Sequence, residues 1–210
     1  MTATPGQAVA AETSNKTFTK TGDPSLDRLA FFHILEKLKT QKRTGWVNNK
    51  IASPESIADH MHRMAILSLC TSDTKLDVAK CVMLSVVHDL SEALVGDIAP
   101  SHGIPKEEKY RLEAEAMRVF VHDMLHDSPA AQRIEALWKE YEGRETPEAQ
   151  FVKDLDRFEM ATQALEYERD LRTPRLQEFY DGSIPFIRHP EVREWGKDLL
   201  DERSRLFPAE

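Results

Sequence analysis

Hydrophobic positions recur at helical spacing along most of this chain. Ile57, Met61, Met64 and Ser68 mark one inner face, Phe151, Leu155, Phe158 and Thr162 a second, and Val192, Trp195, Leu199 and Leu206 a third. No segment sustains the period-two alternation of a half-buried strand, so essentially no sheet is predicted. A start signal repeats at Asp23-Pro24, Ser53-Pro54, Ser128-Pro129, Thr146-Pro147, Thr173-Pro174 and His189-Pro190. Proline suits the first helical position, where its missing N–H would have no partner. A Ser, Thr or Asp just before it can cap the free N–H groups. The signals predict helices over about 24–40, 54–71, 75–95, 106–126, 129–142, 147–170, 174–180 and 190–206. Residues 1–22 lack periodicity and read as a disordered tail. Residues 23–210 read as a single all-α domain, a helical bundle, with 41–52 and 96–105 as its long connections.

Composition narrows the function classes. With 210 residues the chain can bury a sizeable core, and only 8 glycines leave a mix that favours helix. A net charge of -8 argues against a general nucleic-acid binder, but a local cation could still attract a small anionic substrate. No run of apolar residues is long enough to span a membrane. The first 20 residues lack a signal peptide's apolar core and lack Arg, which makes the cytoplasm the default expectation. Cys70 and Cys81 lie in apolar runs and read as buried small hydrophobes in a reducing compartment.

The third helix carries the most unusual pattern. Cys81-Val82-Met83-Leu84-Ser85-Val86-Val87 is apolar nearly all round, as in a buried helix, and it runs directly into His88-Asp89. An ionised Asp buried without a partner costs several kcal/mol, on the order of the penalty for any isolated buried ion. Either a divalent metal compensates, or the helix emerges into water at this point. His60 falls about 60° from Ile57 on the second helix, at the edge of the core face, whereas His62 falls about 140° away and points outward. Glu92 lies one turn beyond His88, and Asp97 follows Gly96, where the helix should end. The 147–170 helix offers Asp154 and Asp156, and periodicity sets Asp154 slightly nearer the inner face. His33, beside Phe31, Phe32 and Leu35, reads as a core histidine, and Lys106–Lys109 and Glu166–Arg169 read as solvated helix faces.

The pattern of His60, then His88-Asp89, then Asp156 resembles the HD-domain phosphohydrolase superfamily. Pro54–His60, His88–Asp97 and Val152–Asp156 resemble the HD-domain-containing protein 2 family, which is similar to the bacterial 5′-deoxynucleotidase YfbR. The likeness covers roughly residues 26–170. It implies an all-α HD-domain bundle that hydrolyses deoxyribonucleoside 5′-monophosphates to deoxyribonucleosides and phosphate, and it suggests a homodimer. It implies that His60, His88, Asp89 and Asp156 bind one divalent cation, with Mn²⁺, Co²⁺, Fe²⁺, Zn²⁺ and Mg²⁺ as candidates. Glu92 and Asp97 would manage protons, with Glu92 as base and Asp97 as acid or the reverse, and either or both could hold a second ion. In the relatives an adjacent Arg and Trp meet phosphate and sugar; here they are spaced as Arg43 and Trp46, so the expectation is that Arg43 holds phosphate and Trp46 walls off a ribose 2′-hydroxyl. HD enzymes acting on cyclic nucleotides, guanosine polyphosphates or triphosphates usually carry phosphate-binding clusters, and only Lys42, Arg43 and Lys50 stand near this site. A non-catalytic helical scaffold with a structural metal would have no need of Glu92 and Asp97.

Overall fold

A computed structural model of the chain describes residues 18–208. Most of the tail expected over 1–22 therefore lies outside the described residues. Its last residues are tied down: the Thr21 and Gly22 backbone N–H groups and the Thr21 hydroxyl donate to the carboxylate of Asp27, which is fully buried.

The described residues form eleven α-helices: α1 Pro24–Ile34, α2 Glu36–Thr40, α3 Thr44–Asn48, α4 Ile57–Ser68, α5 Val78–Val87, α6 Glu92–Val95, α7 Lys106–Arg118, α8 Pro129–Gly143, α9 Pro147–Leu171, α10 Gln177–Asp181 and α11 Pro190–Leu206. No strand occurs among them, only an isolated bridge between Lys42 and Ser56. The all-α expectation is met. Pro24, Pro129, Pro147 and Pro190 open their helices as predicted. Ser53-Pro54 does not: the helix begins three residues later, where Ser56 and Asp59 form a reciprocal capping box. The predicted 75–95 helix breaks at His88–Ser91, where successive three-residue hydrogen bonds tighten the chain into a turn.

The core divides into two apolar clusters. One joins Leu84, Phe151, Leu155, Leu165 and Val192. The other joins Phe31, Ile57, Met61, Val87 and Phe120. The α4–α5 pair contributes to both. Three readings need correction here. The α5 helix is not apolar-buried all round: Met83 and Val86 are exposed, as are Ile66 on α4 and Leu69 at its C-cap. His33 and Cys70 are also exposed, because the turns that carry them lie on the outer surface.

Helix α9 is the central post, packed by α4, α5, α8, α10 and α11. Its buried acids fasten those neighbours. Glu148 accepts from the Asp77 N–H and pairs with Lys80, at the start of α5. Asp154 accepts from the Arg188 and His189 N–H groups at 2.8 and 2.7 Å. Glu168, fully buried, accepts from the Leu176 N–H, the Tyr180 hydroxyl and Arg203. A buried carboxylate is tolerated only when its lone pairs are filled, and each of these fills them with another element's donors. The run 166–169 is accordingly not a plain solvated face.

Candidate metal centre and active site

His60 and His88 of the sequence pattern come together in the interior of the bundle. His60 is placed by the capping box that starts α4, and His88 caps the end of α5. Both are buried, with ring centroids 5.4 Å apart. His88 Nδ1–H donates to the Ser85 carbonyl at 2.9 Å, which leaves Nε2 as the free ring nitrogen. His60 Nδ1–H donates to Glu159 Oε2 at 2.5 Å, with the same result.

The two Nε2 atoms face Asp89 and Asp156. Asp89 Oδ2 lies 3.0 Å from His88 Nε2 and 3.8 Å from His60 Nε2, and Asp156 Oδ1 lies 3.3 Å from His60 Nε2. Neither Nε2 atom has a hydrogen-bond partner, although both are buried. Donors bound to one first-row ion at about 2.0–2.2 Å sit roughly 3–3.6 Å apart. The spacing and the orphaned nitrogens therefore fit a cation at this junction. His60, His88 and Asp156 bring one ligand atom each to within 4.8 Å of one another, and Asp89 Oδ2 adjoins His88 Nε2 and is shared with Arg43, whose Nη1 lies 3.4 Å away.

Electrostatics point the same way. Burial raises the cost of charge on Asp89 and Asp156, yet their neighbours hold both carboxyls below the usual range: His88 and Arg43 act on Asp89, Lys153 and His60 on Asp156. Burial and Arg43 push His60 down, but Glu159 and Asp156 outweigh them and carry it up to about 10. The junction favours positive charge, which suits a divalent ion.

Asp156 and Asp154 separate clearly. Asp154 serves Arg157 and the backbone at 188–189, away from the imidazoles. Asp156 presents Oδ1 to His60, while Tyr141 and Lys153 hold its Oδ2 at 3.0 and 2.6 Å. Both are on α9, but two residues apart they point about 200° from one another and so meet different neighbours.

The residues expected to handle protons flank the junction. Glu92, at the start of α6, is 1% exposed and its Oε2 has no partner. Burial, with Asp89 and Asp97 nearby, pushes its carboxyl well above the usual range. Asp97 is partly committed elsewhere: its Oδ2 accepts from the Thr44 N–H at 2.6 Å, and its carbonyl from the Thr44 hydroxyl. That pair docks the 43–46 turn beside the site.

Arg43 lies beside the cluster. The bridge between Lys42 and Ser56 and the Arg43 N–H to Glu55 carbonyl bond set its backbone, and its guanidinium lies among Asp97, Asp89, Glu92 and Asp156. Trp46 is a correction. Its ring is 2% exposed, packs on Phe179 and Tyr167, and donates its indole N–H to Glu55 at 2.8 Å. A ring so covered anchors the turn that carries Arg43 and does not offer a face to a sugar.

Several contributors were missed. Lys109, read as solvated, bonds the Ile98 carbonyl and sits in the field of Glu113, Glu92, Asp89 and Asp97. Burial outweighs Lys109 at Glu113 and pushes that carboxyl up to about 7. Tyr141, Lys153 and Glu159 back the candidate ligands. The i,i+4 spacing of Lys109 and Glu113 was available in the sequence, but nothing local told which helix face meets the site. A surface cavity of about 600 Å³ lies elsewhere, between residues 184–188 and α11, and shares no residue with this cluster.

The HD domain family matches residues 35–193. This chain belongs to the HD-domain family. This chain is 44% identical over 200 residues to 5'-deoxynucleotidase HDDC2 of Homo sapiens, covering 95% of this chain and 96% of the human one. It is 43% identical over 187 residues to 5'-deoxynucleotidase hdd1 of Schizosaccharomyces pombe, covering 88% and 94%. Among solved structures it resembles HD domain-containing protein YGK1, with TM-score 0.68 and 31% identity over 87% of this chain and 88% of that one. The PH0347 protein of Pyrococcus horikoshii OT3 superposes with TM-score 0.65 at 30% identity, over 85% and 99%.

Proposed function

We propose that this HD-domain protein is a metal-dependent 5′-deoxynucleotidase, a phosphomonoesterase that releases phosphate from deoxyribonucleoside 5′-monophosphates. The observation that carries the reading is the convergence of His60, His88, Asp89 and Asp156 from α4, the end of α5 and α9, with both buried Nε2 atoms lacking a partner. The names of its relatives support the substrate class. We assign the cation to these four residues, with Mn²⁺, Co²⁺, Fe²⁺, Zn²⁺ and Mg²⁺ all compatible with a nitrogen and carboxylate set. Such an ion supplies Lewis acidity toward the phosphoryl group and the attacking water.

The chain's own groups do the rest. Arg43 is a fixed, fully charged fork beside Asp89, suited to phosphate oxygens. Lys109 adds a second cation on the opposite helix. Hydrolysis breaks the bond between phosphorus and the 5′-oxygen; water contributes a hydroxyl to phosphate, and its proton ends on that 5′-oxygen. Glu92 is our choice to carry the proton, because it is buried beside Asp89 with a free Oε2, and burial with Asp89 and Asp97 nearby pushes its carboxyl well above the usual range. Asp97 holds the Arg43 turn through Thr44, and assisting the proton transfer or helping to hold a second ion is its proposed part. A homodimer would cover the open face of α4 and α5, and a cytoplasmic setting suits two unpaired thiols.

The test is a panel of 5′-monophosphates assayed for phosphate release. dAMP, dGMP, dCMP and dTMP are expected to be cleaved alike, because no group at the site is placed to read a base. AMP is expected to be cleaved less efficiently than dAMP, a preference that rests on the names of the relatives, since Trp46 is buried away from any sugar. Equal efficiency on AMP and dAMP would refute the deoxy preference, and release from triphosphates or cyclic diesters alone would favour another HD activity.

A further inference from the structure

Glu159 lies on α9, one helical turn beyond Asp156 on the side facing α4. It is fully buried, yet no step of the proposed reaction uses it. Its Oε2 accepts from His60 Nδ1–H at 2.5 Å, and its Oε1 takes the Arg63 Nε–H at 2.8 Å. Arg63 is held in turn by Gln163 Oε1 at 2.5 Å and Glu166 Oε2 at 2.8 Å. The side chain of Arg63 is 28% exposed, so the chain of contacts runs from the surface to the buried imidazole.

An imidazole has two ring nitrogens, and the one that is protonated depends on what the other faces. A carboxylate at Nδ1 fixes the proton there and leaves the Nε2 lone pair for a cation. It also fixes the ring's rotation about χ2 and makes Nε2 a stronger donor. His88 has only a neutral carbonyl in the equivalent place. The two histidines are thus supported unequally, and His60 carries the charged support. Resting on the metal-centre reading above, we infer that Glu159 is the positioning residue that sets His60 as a metal donor, with Arg63 as its tether, so that this pair tunes the affinity of the centre from outside the ligand set.

A simpler role is possible for such a trio, a buried ion pair that pins α4 to α9. The two roles differ in what they move. A clamp affects thermal stability; a positioning residue affects the metal even in a protein that stays folded. The experiment is a titration of Co²⁺ into the full chain after chelation, followed by visible absorption, with thermal unfolding by circular dichroism in parallel. Glu159→Gln, which keeps an acceptor for Nδ1–H but loses the charge, is expected to weaken Co²⁺ binding by about 10- to 100-fold and to alter the absorption bands. Arg63→Ala is milder and partly exposed, and should weaken binding severalfold with the fold intact. Wild-type Co²⁺ affinity in folded Glu159→Gln overturns the inference; should that variant not fold, wild-type affinity in Arg63→Ala overturns it. His60→Ala is the control for the underlying reading. Loss of Co²⁺ there with retention in Glu159→Gln refutes the positioning role alone, whereas wild-type Co²⁺ binding by His60→Ala refutes the metal centre itself.

Discussion

Glu92→Gln should leave the fold and the metal content unchanged while lowering turnover by about 10²–10⁴-fold, the usual contribution of a positioned acid or base. The substitution is nearly isosteric, so the pocket beneath α6 keeps its packing. The group it removes is distinctive: a carboxylate that is 1% exposed, has a free Oε2, and is pushed well up by burial and by its neighbours Asp89 and Asp97. A buried carboxylate with a free oxygen and a raised pKa, set beside candidate metal ligands, is a candidate proton carrier. Asp97 lacks that freedom, since Thr44 occupies its Oδ2. The measurement is kcat on dAMP together with metal analysis of the same sample. A fall in metal content that parallels the fall in rate would make Glu92 a ligand.

Asp156→Ala is expected to abolish both metal binding and phosphate release, whereas Asp154→Ala should retain most of the metal. Asp156 Oδ1 stands 3.3 Å from His60 Nε2, and its other oxygen is locked by Tyr141 and Lys153, so the carboxylate is aimed before any ion arrives. Asp154 instead satisfies Arg157 and the N–H groups of Arg188 and His189. Its loss strands those donors, at about 1–3 kcal/mol for each buried group left unpaired. Asp154→Ala should therefore lower the melting temperature, and Asp156→Ala should lower it less. Calorimetric Mn²⁺ binding beside thermal unfolding separates the two, and a reversed pattern would reassign the ligand.

Much of this architecture was legible in the sequence. Four of the Xaa-Pro starts are real helix starts, because proline and its capping neighbour act locally. The inward turn of His60 and the outward turn of His62 follow from helical period alone. What periodicity could not give was anything decided between elements. Trp46 reads from the sequence as a wall against a sugar; the approach of Phe179 and Tyr167, distant in the chain, buries it instead. Lys109 looked solvated until α7 turned one face to the site. The break at His88–Ser91 interrupts a pattern that local propensity would continue, and it re-aims Glu92. Glu159 and Glu168 read as ordinary charged helix positions, because a buried acid is recognised by its distant partners. The Asp156 position came from the family pattern, since periodicity alone leaned toward Asp154.

The central claim is that a cation bound by His60, His88, Asp89 and Asp156 is required for phosphate release. The most direct measurement is phosphate release from dAMP by the full chain, first after exhaustive chelation and then after addition of Mn²⁺, Co²⁺, Fe²⁺, Zn²⁺ or Mg²⁺ singly. The expected result is loss of activity on chelation and its return with at least one ion in wild type, with no return in His88→Ala. Undiminished release from the chelated protein, or recovery in His88→Ala equal to wild type, would contradict it.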